Sequence, residues 1–110
     1  GFSQGTMLSL HLAPRRDTAL AGVVGFSGRL LEPESLEEEV KSKMPILLVH
    51  GDSDDVVPFE SLADAANNLT MNGFTVYSHV AKGVGHGISP DGLGTALQFM
   101  NNMLGFVESD

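Results

Sequence analysis

The chain opens on Gly1-Phe2-Ser3-Gln4-Gly5, which fits the pattern G-x-S-x-G. Small residues around a serine permit a sharp, strained turn from strand to helix that lifts the hydroxyl clear of a sheet. Any Gly-rich turn can contain the pattern, but here an apolar, helix-like run begins directly after Gln4. A serine hydroxyl is a poor nucleophile near neutral pH. It attacks a carbonyl only when an imidazole takes its proton and an acid holds that imidazole in the right tautomer and orientation. The chemistry to look for is therefore acyl transfer, and it needs an acid and a histidine after Ser3, each on a loop at the C-terminal end of a parallel strand.

Asp52, Asp54 and Asp55 follow a strand-like run that ends at His50 and are the acid candidates. Asp52 sits close enough to the strand to do no more than close a turn, and Asp55 could be a solvated neighbour, so spacing leaves the choice open. Of the four histidines, His11 falls within an apolar helical run and reads as a satisfied core residue. His50 is too near in sequence to swing onto the acid loop it precedes, and His79 lies inside a strand, facing a neighbouring layer. His86 stands between Gly85 and Gly87 in a Gly-rich loop between strand and helix, from where its ring can reach across strand ends. It is read as the base.

These side chains need a scaffold. Thr6 to Ala13 predicts a buried helix that stops at Pro14. Ala19 to Phe26 predicts a buried strand, and the acidic stretch from Glu32 to Lys43 a solvated loop with one short surface helix. Ile46 to His50, apolar and branched, predicts a second buried strand, with the loop Gly51 to Pro58 at its end. Phe59 to Asn72 predicts an amphipathic helix burying Leu62, Ala65, Ala66 and Leu69, capped by a left-handed Gly73. Thr75 to Val80 predicts a third strand, and Ala81 to Gly87 the loop after it. Ser89-Pro90-Asp91 starts a last helix, running through Gly92 to Phe106 with Leu93, Leu97, Met100 and Leu104 at helical spacing. Such alternation predicts parallel strands joined by right-handed crossovers.

With 110 residues, 42% hydrophobic and 18% charged, the composition is that of one globular domain. A formal charge of −8 repels phosphate backbones and anionic lipid headgroups, which argues against nucleic acid and membrane partners. No run approaches the length needed to span a bilayer, and none resembles a signal peptide. With no Cys there is no disulfide framework, thiolate metal site or thiol nucleophile, and a reducing cytoplasm is the default compartment.

GFSQG at 1–5, HGDSDDVVPF at 50–59 and GVGHGIS at 83–89 together resemble the carboxylesterase/phospholipase family of α/β hydrolases, which includes acyl-protein thioesterases and lysophospholipases. The three motifs come in the family's order, and the likeness extends over essentially the whole chain. It implies an α/β fold, the C-terminal half of an α/β-hydrolase, with a parallel sheet, flanking helices and the N-terminal strands absent. Residues 1–110 then form a single partial domain. The resemblance implies Ser3 as nucleophile, Asp54 as acid in the pattern HGxxDxVVP, and His86 as general base and acid.

The implied activity is a serine carboxylesterase that needs no metal or cofactor and acts on a small ester of short or medium acyl chain. Homodimers are common in the family. The N–H of Gln4, which follows the nucleophile, is expected to donate one oxyanion hydrogen bond, and the second donor is expected upstream of Gly1. Phe2, Val57 and Ile88, with Val56 and Phe59, offer apolar surface for the substrate.

Family members are roughly twice as long, and the strand that should deliver Ser3 is not in this sequence. The elbow is thus expected to lack a support to strain against, and the 110 residues alone to be poorly folded and inactive. A Cys-dependent dienelactone hydrolase is excluded by composition. A peptidase of the same fold, or a noncatalytic interaction module that keeps the fold, are the rival readings. Three chemically competent residues at the three positions argue against the last.

Overall fold

The computed structural model describes residues 1–18, 20–31 and 33–104. The expected strand start at Ala19, the start of the acidic loop at Glu32, and the helix end at Gly105 and Phe106 lie outside the described residues.

Three parallel strands form one sheet in the order β1 (Val23–Phe26), β2 (Ile46–Gly51), β3 (Val76–Ala81). The central strand β2 is buried along its whole length, as its unbroken apolar run requires. Its side chains alternate between two cores. Ile46 and Leu48 join Leu10 of α1 (Gln4–Leu12), Leu36 of α2 (Leu36–Glu39), and Leu62, Ala65 and Leu69 of α3 (Glu60–Met71). Leu47 and Val49 join Phe26 and, from α4 (Pro90–Leu104), Ala96 and Phe99. The result is a helix–sheet–helix sandwich in which all three strands point their C-terminal ends to one rim.

Most elements fall where the sequence puts them, with four differences. β1 starts at Val23, so residues 20–22 of the expected strand lie outside it. Its pairing begins at Val23↔Ile46, and the residue before Ile46 is Pro45, which has no N–H to extend the ladder and only accepts a bond from the Val23 amide at 3.0 Å. The helix α1 is buried on one face only: Thr6 and Leu10 are covered, whereas Leu8 is 57% exposed.

α4 turns a different face to the sheet from the one its large residues suggest. Gly92, Ala96 and Phe99 are buried, while Leu93 and Leu97 are 47% and 51% exposed. Small residues let the helix approach closely: a Cβ on Gly92 would stand 3.0 Å from Cγ1 of Val49. The side chain of Leu104 lies outside the described residues. Finally, the short helix α2 is pinned, not merely solvated. Leu36 is fully buried and Glu39 accepts a 2.6 Å hydrogen bond from Arg15 Nε.

Gly73 closes α3 at φ 86°, the left-handed cap the sequence predicts, and passes the chain straight into β3. No helix among the described residues is long and apolar enough to cross a membrane.

Candidate active site

The elbow is the first part of the site. Ser3 has φ 51° and ψ −114°, a region that L-residues rarely adopt, and it directly precedes α1. Contrary to expectation, the turn has an anchor. Phe2 makes a parallel bridge with Phe26; the Ser3 amide donates to the Phe26 carbonyl at 2.8 Å, and the Phe26 amide donates to the Gly1 carbonyl at 2.9 Å. Thr6 Oγ1 adds a 2.7 Å bond to the same Phe26 carbonyl. Of the two motif glycines, Gly1 is sterically demanded, since a Cβ there would stand 2.6 Å from the Gly5 carbonyl carbon, while a Cβ on Gly5 would meet nothing within 4 Å.

The second part is the acid loop after β2. Asp54 folds back so that Oδ1 accepts the amides of Val56 and Val57, each at 2.9 Å, and its side chain is fully buried. Burial pushes this carboxyl up, but the hydrogen bonds from His86 and from the Val57 and Val56 amides outweigh it, and the carboxyl lies below its ordinary value. Asp52 and Asp55 are both exposed.

The third part is the loop after β3. His86 Nδ1 lies 2.8 Å from Asp54 Oδ2, and His86 Nε2 lies 2.9 Å from Ser3 Oγ. An ionised carboxylate only accepts, so Nδ1 carries the hydrogen and Nε2 of the neutral ring is left to accept from the serine hydroxyl. Residues 3, 54 and 86, the three that the family resemblance implies, thus meet in one hydrogen-bonded chain, although 83 positions separate Ser3 from His86. The Phe2 ring packs 5.0 Å from that of His86, tilted by 46°. The amide of Gln4 opens α1 and has no acceptor among the described residues.

The other histidines sort less neatly. His79 pairs with Asp91 of α4 at 2.7 Å, facing the neighbouring layer as read. His11, read as satisfied, leaves Nδ1 buried with no hydrogen-bond partner among the described residues. His50, which nearness in sequence excludes from the acid loop, nevertheless has its Nε2 3.4 Å from Asp54 Oδ2, because the turn after β2 carries the carboxylate back over the strand end. Val57 needs correction as a substrate-lining residue: it is 4% exposed, and it acts through its main chain on Asp54 and His50. Phe2, Val56 and Ile88 do present exposed apolar surface.

One contact has no counterpart in the sequence reading. Asp52 Oδ1 accepts the Gly83 amide at 2.7 Å, and the Ser53 amide donates to the Val84 carbonyl at 3.0 Å, so the acid loop and the histidine loop are fastened to each other. An acidic residue two positions past a strand gave no hint of a partner 31 residues away. Among the described residues no group of three or more His, Asp or Glu is arranged to hold a metal ion.

Comparison with known proteins agrees on one family. The profile of the phospholipase/carboxylesterase family matches residues 1–104. Acyl-protein thioesterase 1 homolog 1 of Dictyostelium discoideum is 31% identical over 106 residues, covering 94% of this chain and 47% of its own length. A probable carboxylesterase of Oryza sativa subsp. japonica is 35% identical over 107 residues, covering 94% and 40%. The crystal structure of esterase PE8 superposes with a TM-score of 0.91 at 43% identity, covering 94% of this chain and 48% of that one. The chain thus spans about half the length of the curated relatives it matches.

Proposed function

Because the chain belongs to the phospholipase/carboxylesterase family, we propose that the whole protein hydrolyses carboxylic esters with Ser3 as nucleophile, His86 as general base and acid, and Asp54 as the group that orients His86. The observation that carries this reading is the unbroken relay from Asp54 through His86 to Ser3, with bonds of 2.8 and 2.9 Å, ending on a serine held in a strained elbow.

In the first step Ser3 Oγ bonds to the ester carbonyl carbon while its proton passes to His86 Nε2, and the negative charge gathers on the carbonyl oxygen. The Gln4 amide and the N-terminus of α1 face that charge. His86 then gives the proton to the departing alkoxide, leaving an acyl-serine. Water attacks this ester, His86 takes its proton, and collapse returns the proton to Ser3 and releases the acid. Asp54, buried and ionised, stabilises the imidazolium that forms in each half-reaction.

Exposed Phe2, Val56 and Ile88 suit a short or medium acyl chain, and a small soluble ester fits the acidic surface better than an anionic lipid aggregate. A thioester is the second reading, favoured by the relative named acyl-protein thioesterase. A homodimer is part of the proposal and is read by sedimentation.

The test is turnover of p-nitrophenyl esters of graded chain length, beside acyl thioesters, by the whole protein and its Ser3→Ala variant. A fluorophosphonate probe should label Ser3. Turnover that survives Ser3→Ala overturns the reading, and a protein inert to both esters and the probe points to a binding module instead.

A further inference from the structure

We propose that His50 is a positioning residue, which acts on His86 by holding the carboxylate of Asp54; the inference rests on the hydrolase reading above. His50 is the penultimate residue of β2, after Ile46, Leu47, Leu48 and Val49, and is 1% exposed. Packing alone would put another branched apolar residue there, and a polar ring so deeply buried needs a partner.

Its partners are both in the acid loop. Nε2 lies 3.0 Å from the Val57 carbonyl and 3.4 Å from Asp54 Oδ2. A carbonyl only accepts, so Nε2 carries the hydrogen, and it faces the carbonyl and the carboxylate together. The Phe59 ring packs against the imidazole, 6.0 Å away between ring centroids and tilted by 72°.

The geometry gives this contact a function that the neighbouring bonds do not have. The Val56 and Val57 amides hold Asp54 Oδ1, but they belong to the same loop and travel with it. His50 is rooted in the central strand, donates to the carbonyl at 57 and faces the carboxylate at 54 from 3.4 Å, so it touches both ends of the turn. It meets the same oxygen, Oδ2, that receives His86 Nδ1 at 2.8 Å. Asp54 Oδ2 therefore faces two imidazoles, one that moves protons and one that fixes where the carboxylate stands.

The test compares His50→Gln, His50→Asn and His50→Met in the whole protein. Gln places an N–H close to where Nε2 stood, Asn falls short of it, and Met fills the space without a donor. Loss of the buried Nε2–H, which anchors the turn through the Val57 carbonyl and stands 3.4 Å from the carboxylate, predicts that kcat on a soluble ester falls about tenfold in the Asn and Met variants, with KM within about twofold, and recovers in the Gln variant. The low-field proton resonance of His86 Nδ1–H should move upfield in the Asn variant and stay in place in the Gln variant.

Equal losses in Gln and Asn, or an unchanged kcat per folded molecule in all three with only the melting temperature lowered, would overturn the proposal. If Met does not fold, the Gln–Asn pair decides. Ser3→Ala, assayed alongside, separates the two failures. Residual turnover there sinks the hydrolase reading, while its loss beside unaffected His50 variants sinks only the positioning role.

Discussion

Gly51 and Val84 come so close that no side chain fits between them: a Cβ on Gly51 would overlap the Val84 carbonyl and stand 2.6 Å from that of Gly85. The acid loop and the histidine loop lean on each other at this point, backbone against backbone. Gly51→Ala is expected to cost about 2 kcal/mol through overpacking and to lower ester turnover by moving residues 84–86 away from Asp54. Urea melts and kcat of the whole protein check this; a fully stable, fully active alanine variant would contradict it.

The Asp52–Gly83 bond is the polar half of the same junction. Asp52→Ala leaves the Gly83 amide without its acceptor and should lower stability by about 1 kcal/mol. Asp52→Asn keeps an acceptor oxygen and should restore most of the loss. The comparison is made by thermal melts of the two variants at one pH, with kcat expected to follow the same order.

Ser3 is held at φ 51° and ψ −114° by the bond from its own amide to the Phe26 carbonyl and by the bond from the Phe26 amide to the Gly1 carbonyl. Such backbone strain is typically worth about 1–3 kcal/mol, part of which Gly recovers after its extra unfolded-state entropy is counted. Ser3→Gly should therefore be inactive yet melt at a higher temperature than Ser3→Ala, which keeps the strain. Equal melting temperatures would show that the elbow stores little.

The depressed carboxyl of Asp54 ties stability to pH. Its folded-state pKa lies below the unfolded one, so the unfolded chain binds more protons in this range and stability falls as pH falls. The contribution is fully present above the ordinary carboxylate range, about pH 4–5, and is lost as pH drops through the folded value. Asp54→Asn should flatten the acid limb of a plot of unfolding free energy against pH. An acid limb of unchanged slope would mean that other groups, such as Asp91 and Glu39, whose carboxyls are also lowered by their partners, account for it.

Much of this could be read from residue types alone. The apolar run at 46–49 can only be a buried strand, and β2 is one. Gly73 predicted a left-handed cap because no other residue takes that angle cheaply, and it has φ 86°. G-x-S-x-G, an acid loop and a Gly-flanked histidine each announce a local geometry, which points to residues 3 and 86 and to an acid among 52, 54 and 55; the family resemblance of HGDSDDVVPF narrows the acid to Asp54.

What a linear pattern cannot carry is contact between separate stretches of chain. The buried face of α4 is not the one its pattern suggests, because hydrophobicity ranks Leu93 and Leu97 above Gly92 and Ala96, whereas close packing against Val49 favours the small pair. Nearness along the chain argues against a contact between His50 and the acid loop, yet a tight turn brings the carboxylate of Asp54 to within 3.4 Å of it. Asp52 reads locally as a turn residue, and its partner lies 31 positions away. The sequence determined the elements and the chemistry each loop could offer. The parallel sheet decided which of them touch, because aligning three strands brings every C-terminal loop to the same rim, and only there do the distances between distant residues become hydrogen bonds.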